Sequence, residues 1–199
     1  ALLKSGNEVL IPDNVYSPNR ELANWLARDF GISVRYYDPM IGEAIAGLIT
    51  EHTRLIWTEA PGSVSMEIPD IAAICHAAHA RGVVVALDNT WSAGIAFKAF
   101  DHGVDIVMQA LTKYQSGGSD ILMGAVITRD KSLNHKIELA HMRLGFGVSA
   151  DDVYLVLRGL ATMKLRFDAH DAGARKVATW LKARPEIGRV LHPALAAPA

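Results

Sequence analysis

The sequence is poor in cysteine: Cys75 is the sole one among 199 residues. This excludes an internal disulfide framework and fits a reducing cytoplasm, where we expect the protein to work. No apolar stretch is longer than a strand requires, which argues against a membrane-spanning segment. The net charge is only −1 and no dense Lys/Arg cluster occurs, so neither nucleic acid nor a membrane surface is an expected partner.

Short apolar runs alternate with stretches of helical spacing along the first three quarters of the chain. The pattern predicts strands at 9–11, 34–37, 54–58, 83–87, 105–109 and 124–128. It predicts helices at 17–30, 41–49, 69–80, 151–170 and 171–183, with Ser17 as the N-cap of the first, and a further strand near 188–192. Strands that alternate with helices require crossover connections, so we expect an α/β fold with a mostly parallel sheet and helices on both faces.

Near residue 150 the alternation of strands and helices gives way to long helical segments, which predicts that the chain has two parts. Residues 1–150 are predicted to belong to a large α/β domain, and 151–199 to be connecting helices and the start of a smaller domain. Ligands of open parallel sheets bind at the carboxyl ends of the strands, and Glu59, Asp88 and Lys113 all lie there.

Asp88 and Lys113 offer complementary chemistry at the ends of two neighbouring predicted strands. A buried carboxylate can keep the nitrogen of a heteroaromatic ring protonated, and an amine can bind an aldehyde on the far side of that ring. Adjacent strands lie only about 4.8 Å apart, so both side chains can reach one ring. Pyridoxal phosphate has these needs, and the Thr112 hydroxyl could bind its phosphate. The alternative is that Asp88 caps the next element and Lys113 is merely solvated.

Five segments carry a resemblance to a known family. They are 13–18 (DNVYSP), 37–42 (YDPMIG), 59–63 (EAPGS), 88–91 (DNTW) and 109–114 (QALTKY). These segments resemble those of the Cys/Met-metabolism enzymes, the transsulfuration group of fold-type I pyridoxal phosphate enzymes, and most closely the cystathionine β-lyase branch. The resemblance runs over essentially all 199 residues and implies a three-layer α/β/α, transferase-like large domain.

The resemblance also implies roles for four residues. Lys113 would form the resting Schiff base and act as the catalytic base, while Asp88 would hold the ring nitrogen. Thr112 would bind the phosphate. Tyr16 would stack on the ring and help to move protons at the substrate amine; without the resemblance, a tyrosine in such a loop is usually a packing residue.

The reaction implied is β-elimination from L-cystathionine, which yields homocysteine, pyruvate and ammonia in methionine biosynthesis. Pro61-Gly62-Ser63 stands where γ-acting relatives typically have an Asn-Pro pair. The alternatives are a γ-acting sibling (cystathionine γ-synthase, cystathionine γ-lyase or methionine γ-lyase) and a catalytically incomplete fragment.

Two residues depart from the family pattern: Gly118 replaces a usual histidine and Ala60 a common serine. The chain is expected to be a central portion of a longer enzyme. The phosphate-binding loop, with a Tyr and an Arg for the neighbouring subunit, would lie upstream, and the arginine for the substrate carboxylate downstream. The resemblance implies a homotetramer built from dimers.

Other candidate sites carry little weight. Cys75 and His79 share a predicted helix face, but no further ligands can be placed, so we expect no metal site. No Gly-rich dinucleotide or Walker-type loop occurs. Arg158 and Arg166 fit either salt bridges or a pocket, and the sequence does not decide between these roles.

Overall fold

One six-stranded sheet organises the computed structural model, which describes residues 1–195. The strands are β1 (Glu8–Pro12), β2 (Ser33–Tyr37), β3 (Thr53–Glu59), β4 (Val84–Asp88), β5 (Ile106–Ala110) and β6 (Gly124–Thr128). Their order is β2-β1-β3-β4-β5-β6. All neighbours run parallel except β6, which pairs antiparallel with β5. The predicted α/β fold with a mostly parallel sheet is therefore confirmed.

Five α-helices connect or follow the strands: α1 (Ser17–Phe30), α2 (Ile71–His79), α3 (Lys131–Leu144), α4 (Ala150–Leu160) and α5 (Met163–Lys182). Helix α1 ends where Gly31 takes a left-handed conformation, with φ of 63°, as glycine does most readily. Helix α2 begins where the Asp70 carboxylate accepts the N–H of Ala73, which satisfies one of the free donors of the first turn.

The core has one layer on each face of the sheet, because successive side chains of a strand point to opposite faces. Leu10 of β1 packs with Ile56, Ile74 and the rest of one buried cluster, on the side of α2. Val9 and Ile11, its neighbours along β1, pack in a second cluster that includes residues of α1. This arrangement supplies the two helical layers of the predicted α/β/α sandwich. Within residues 1–195, no helix combines the length and the apolarity needed to cross a bilayer.

Several predicted boundaries are wrong in informative ways. The segment predicted as helix 41–49 forms only a short 3-10 helix, Gly42–Gly47, because a glycine at each end weakens an α-helix. Ser17 is the first residue of α1 rather than its N-cap; Tyr16 takes that position, and its carbonyl accepts the N–H groups of Asn19 and Arg20.

The predicted boundary between two helices at 170/171 is also wrong. Helix α4 ends at Leu160 and α5 begins at Met163, so residue 170 lies inside α5. Asp171 suggested an N-cap, but its carboxylate accepts a hydrogen bond of 2.8 Å from Arg175 Nε inside α5. Helix α3 was not predicted, and none of its residues is buried. Residues 188–192 form no strand, because no other strand of the described chain lies beside them to pair with.

Candidate active site

The strand order brings three of the charged candidates to one edge of the sheet. Glu59 at the end of β3 is the direct register partner of Asp88 at the end of β4. Asp88 in turn pairs with Met108 of β5, and Lys113 follows shortly after β5 ends at Ala110. The carboxyl edge of the sheet, where ligands of such folds bind, therefore carries two carboxylates and an amine.

Asp88 is almost fully buried, with 6% of its surface exposed. Its Oδ1 accepts the backbone N–H of Thr90 at 3.0 Å, while Oδ2 has no donor among the residues that the structure describes. Burial raises the pKa of the Asp88 carboxyl, and hydrogen bonding by Thr90 and the positive charge of Lys113 oppose that shift. The free oxygen is thus a site for a donor, and a charged donor would be favoured.

Thr90 locks the turn after β4 in place. Its N–H binds Asp88, and its hydroxyl accepts the backbone N–H of Ala110 at 2.9 Å. The same residue therefore joins the end of β4 to the end of β5. No local pattern around Thr90 predicts this role, because it depends on the pairing of the two strands.

Lys113 is exposed, and its amine makes no hydrogen bond or ion pair within residues 1–195. An acceptor without a donor at Asp88 and a free amine at Lys113 fit the two ends of a pyridoxal ring, whose nitrogen carries a proton and whose aldehyde reacts with amines. The chemistry of the donor set at this edge is therefore compatible with pyridoxal phosphate.

Glu59 connects two loops of the site and is buried, with 1% of its surface exposed. Its Oε2 accepts the backbone N–H of Tyr16 at 2.9 Å, and its Oε1 accepts the hydroxyl of Ser63. Burial raises the pKa of the Glu59 carboxyl, these hydrogen bonds lower it, and the nearby Asp88 raises it further. Sequence reasoning placed Glu59 at the edge but missed these contacts, which are visible only in three dimensions.

Tyr16 lies at this edge through its backbone, which Glu59 holds. Its side chain is half exposed, at 50%, and its hydroxyl makes no hydrogen bond within the described chain. Because the backbone of Tyr16 is held and its aromatic ring is exposed, the ring is available to a flat ligand. The predicted stacking role stays a prediction.

Thr112 already uses its hydroxyl inside the protein. The oxygen accepts the N–H of Met123 at 3.0 Å and donates to the Met123 carbonyl at 3.3 Å. The second contact is long, so the hydroxyl proton could turn to a phosphate oxygen while the first bond persists. The predicted phosphate contact stays a prediction.

The Pro61-Gly62-Ser63 segment has packing reasons for two of its residues. The Asn14 amide lies across Gly62, where any side chain would collide with it, and donates to Ser65 Oγ at 2.8 Å. Ser63 donates to Glu59. The segment therefore serves the local architecture, whatever reaction the site performs.

A cleft of about 720 Å³ opens beside this edge, between the loops after β3 and β4 and helix α5. Its lining includes Trp91, Tyr114, Phe167 and His170, but not Asp88, Lys113 or Tyr16. At Gly118, the residue that departs from the family pattern, a β-carbon would come closer than 3.0 Å to the Asp120 carboxylate. No group of three or more His, Cys, Asp and Glu side chains within residues 1–195 could hold a metal ion.

The raised pKa of Glu59 predicts a pH dependence of stability in the cofactor-free protein. A carboxyl whose folded-state pKa exceeds its unfolded value, about 4.3, binds its proton more tightly when folded. Stability is therefore fully present below the unfolded pKa and falls as pH rises through the folded pKa. Glu59→Gln keeps one acceptor for Tyr16 and an amide for Ser63, so urea unfolding should show a weaker loss of stability between pH 4 and pH 8.

Glu67→Gln is the matched control, since that carboxylate accepts from Ser65 at an exposed position. It should follow the parent curve. Parallel curves for the parent and Glu59→Gln would contradict a raised pKa of the Glu59 carboxyl in the folded protein.

Known proteins resemble the chain over almost its whole length. Residues 1–198 match the sequence profile of the family "Cys/Met metabolism PLP-dependent enzyme". A cystathionine beta-lyase from Haemophilus influenzae is 41% identical over 197 residues, which cover 98% of this chain and 50% of that protein. A cystathionine gamma-lyase from Dictyostelium discoideum is 34% identical (98% and 50% covered), and an L-alanine/L-glutamate racemase from Wolbachia pipientis is 38% identical (96% and 47%).

Solved structures agree with the fold. The crystal structure of metB from Corynebacterium glutamicum superposes with a TM-score of 0.94 at 29% identity, covering 98% of this chain and 50% of that one. This confirms the predicted transferase-like α/β class. The chain spans about half the length of the curated relatives it matches.

The family match covers the site segments as well as the sheet. It includes Asp88, Lys113 and the loops that hold them, and it confirms pyridoxal phosphate as the cofactor of the family. The chain belongs to the Cys/Met metabolism PLP-dependent enzyme family.

Proposed function

We propose that the polypeptide containing this chain is a carbon–sulfur lyase that uses pyridoxal phosphate to cleave L-cystathionine by β-elimination. The observation that carries the proposal is the placement at one sheet edge of the buried Asp88 side chain, whose Oδ2 accepts no hydrogen bond within residues 1–195, and of the Lys113 amine, which has no partner there. The cystathionine beta-lyase from Haemophilus influenzae, at 41% identity, supports the choice of reaction. The predicted domain division, cytoplasmic location and homotetramer stay predictions.

Pyridoxal phosphate, when bound, supplies an electron sink conjugated with the Cα of an amino-acid substrate. Asp88 would accept a hydrogen bond from the ring N–H through Oδ2 and hold the proton on that nitrogen. Thr112 would donate to a phosphate oxygen. Lys113 would bind the aldehyde carbon through its amine. These three residues orient the ring from both ends.

Lys113 also moves the protons of the reaction. Once the substrate amine has displaced it, its neutral amine removes the proton from the substrate Cα. The carbon–sulfur bond at Cβ then breaks, and Lys113 or the Tyr16 hydroxyl delivers a proton to the departing sulfur. One molecule of water is consumed as the three-carbon remainder is released as pyruvate and ammonia, and the sulfur leaves as homocysteine.

Glu59 supports this chemistry without touching the reacting atoms. It holds the backbone of Tyr16 and the hydroxyl of Ser63, so it fixes the position of the loop from which Tyr16 extends. We therefore assign Glu59 as a positioning residue for Tyr16.

A γ-acting enzyme is the second candidate. The Dictyostelium discoideum cystathionine gamma-lyase is 34% identical over 98% of the chain. Gly62 and Ser63 have packing partners, so the Pro61-Gly62-Ser63 segment does not by itself favour β-elimination. The products distinguish the two reactions, because cleavage on the other side of the same sulfur gives different keto acids.

The first prediction from the proposed function concerns the products. The full polypeptide, purified with pyridoxal phosphate and given L-cystathionine, should release pyruvate and homocysteine in equal amounts. Chromatography of the keto acids as hydrazones separates pyruvate from 2-oxobutyrate. A product mixture dominated by 2-oxobutyrate and cysteine would overturn β-elimination in favour of the γ-acting alternative.

The second prediction concerns the lysine that binds the cofactor. Borohydride reduction in the presence of pyridoxal phosphate should attach the cofactor to the peptide that contains Lys113, as detected by mass spectrometry. Lys113→Ala should abolish this labelling and the associated absorbance band, because it removes the amine that would bind the aldehyde. Lys131→Ala, an exposed lysine at the start of α3, is the control and should label normally. Labelling that survives Lys113→Ala would refute the role.

The third prediction concerns the carboxylate. Asp88→Asn removes the negative charge beside the ring nitrogen, so proton removal from Cα should slow by roughly 100-fold, as expected for the loss of one partner of a buried charge pair at about 3 kcal/mol. Labelling at Lys113 should persist. Exchange of the substrate Cα proton with deuterium measures this step.

Asp105→Asn is the control for Asp88→Asn, since Asp105 also accepts a backbone N–H, that of Val85 at 2.8 Å, at the other end of β4. Its exchange rate should stay within a few-fold of the parent. Equal rates for Asp88→Asn and the parent would contradict the proposed role of Asp88.

A further inference from the structure

The turn that carries Lys113 does not fix the direction of its side chain. We define the Lys113 turn as residues 111–117. Its backbone closes on itself through Ser116 N to Leu111 O at 3.0 Å and Gly117 N to Lys113 O at 3.0 Å. The lysine amine has no partner within residues 1–195. The start of the turn is joined to β5 by Lys113 N to Ala110 O at 3.1 Å, so the backbone after Lys113 is the part whose position depends on what packs against the turn from outside.

Helix α4 packs directly on the Lys113 turn at Gly159. A β-carbon on Gly159 would come closer than 3.0 Å to the carbonyl oxygens of Gln115 and Ser116. These are backbone atoms, so they cannot swing away as a side chain could. Glycine inside a helix costs about 1 kcal/mol relative to alanine, and the close approach of α4 to the turn explains its presence here.

Arg166 of α5 holds the other end of the turn. Its guanidinium lies across the α-carbon of Gly117, which has a positive φ of 73°. The same group donates from Nη2 to the Gly159 carbonyl at 2.7 Å and from Nε to Thr162 Oγ1 at 3.2 Å. Arg166 therefore joins the last turn of α4, where a cation is favoured by the helix dipole, to the Lys113 turn.

Aromatic contacts add a third connection. Tyr114, the residue after the lysine, lies 5.2 Å from the Phe167 ring and 5.7 Å from the His170 ring of α5, measured between centroids. Every residue from Tyr114 to Gly117 thus contacts the α4–α5 pair.

We infer that Gly159 and Arg166 are positioning residues for Lys113: the α4–α5 pair sets the direction of the cofactor lysine by holding the backbone that follows it. The inference rests on the proposed role of Lys113. It gives Arg166 a role that the sequence left undecided. Arg158 does not share this role, because its guanidinium lies over the Tyr154 ring of its own helix.

The test compares two glycines in the full polypeptide. Gly159→Ala should push α4 away from the Lys113 turn, whereas Gly173→Ala in α5 meets nothing within 4 Å and gains helix propensity. Hydrogen exchange in the cofactor-free protein should therefore speed up by about tenfold or more at Ser116 and Gly117 in Gly159→Ala. In Gly173→Ala it should not change.

A second readout follows the lysine itself. In Gly159→Ala, the lysine-bound absorbance band should form from pyridoxal phosphate about tenfold more slowly, and its pH titration midpoint should shift, since the amine is displaced from Asp88. Gly173→Ala should match the parent in both. A lower melting temperature with an unchanged titration would show a purely structural role and would overturn the inference.

Arginine variants keep the test valid if Gly159→Ala fails to fold. Arg166→Met should reproduce faster exchange and slower band formation, with Arg166→Lys intermediate because a lysine lacks the planar fork. Arg158→Met is the matched control and should behave as the parent. Parent-like results for Arg166→Met would overturn the inference, whereas a parent protein that forms no band would instead refute the proposed function.

Discussion

The in-register pairing of Glu59 with Asp88 is the constraint on which the site depends. It places two carboxylates side by side in buried positions, where each loses hydration and each raises the cost of charging the other. Donors from three loops offset this cost: the N–H of Tyr16 after β1, the hydroxyl of Ser63 after β3 and the N–H of Thr90 after β4. The need to satisfy the two acids therefore also fixes the loops that surround them.

The two carboxylates are satisfied to different extents. Glu59 uses both oxygens on donors of this chain, whereas Asp88 uses one. Glu59 therefore has no oxygen left for a ligand, whereas Oδ2 of Asp88 can still accept a hydrogen bond from one. The contrast separates the positioning acid from the one available to a ring nitrogen, although both lie at equivalent points of adjacent strands.

The sequence was sufficient to predict what local patterns determine. Apolar runs located the strands, and a charged residue after each run located Asp88 and Lys113. The partners of these residues could not be predicted, because they are distant in sequence: Tyr16 lies 43 residues from Glu59. Whether two such segments meet depends on strand order and register, which tertiary packing decides.

Helix boundaries failed for a related reason. Asp171 resembled the start of a helix, but a neighbour one turn away binds its carboxylate within α5. The true break lies just before Met163, where α4 ends against the Lys113 turn and Arg166. A helix boundary at this point lets both helices contact one turn. That is a tertiary interaction, so local helix propensity does not predict it.

The two ends of the site are therefore positioned in different ways. Asp88 belongs to a strand with neighbours on both sides, so its position is set by the sheet. Lys113 lies on a turn that is bonded to the end of β5 through Lys113 N to Ala110 O at 3.1 Å, and two helices pack against the far side of that turn. A flat ligand held at both ends needs their separation to be constant, and a displacement of about 1 Å can cost a factor of roughly 100 in rate. Changes in α4 and α5 should thus alter the rate of reaction at the lysine while the chemistry of Asp88 stays the same.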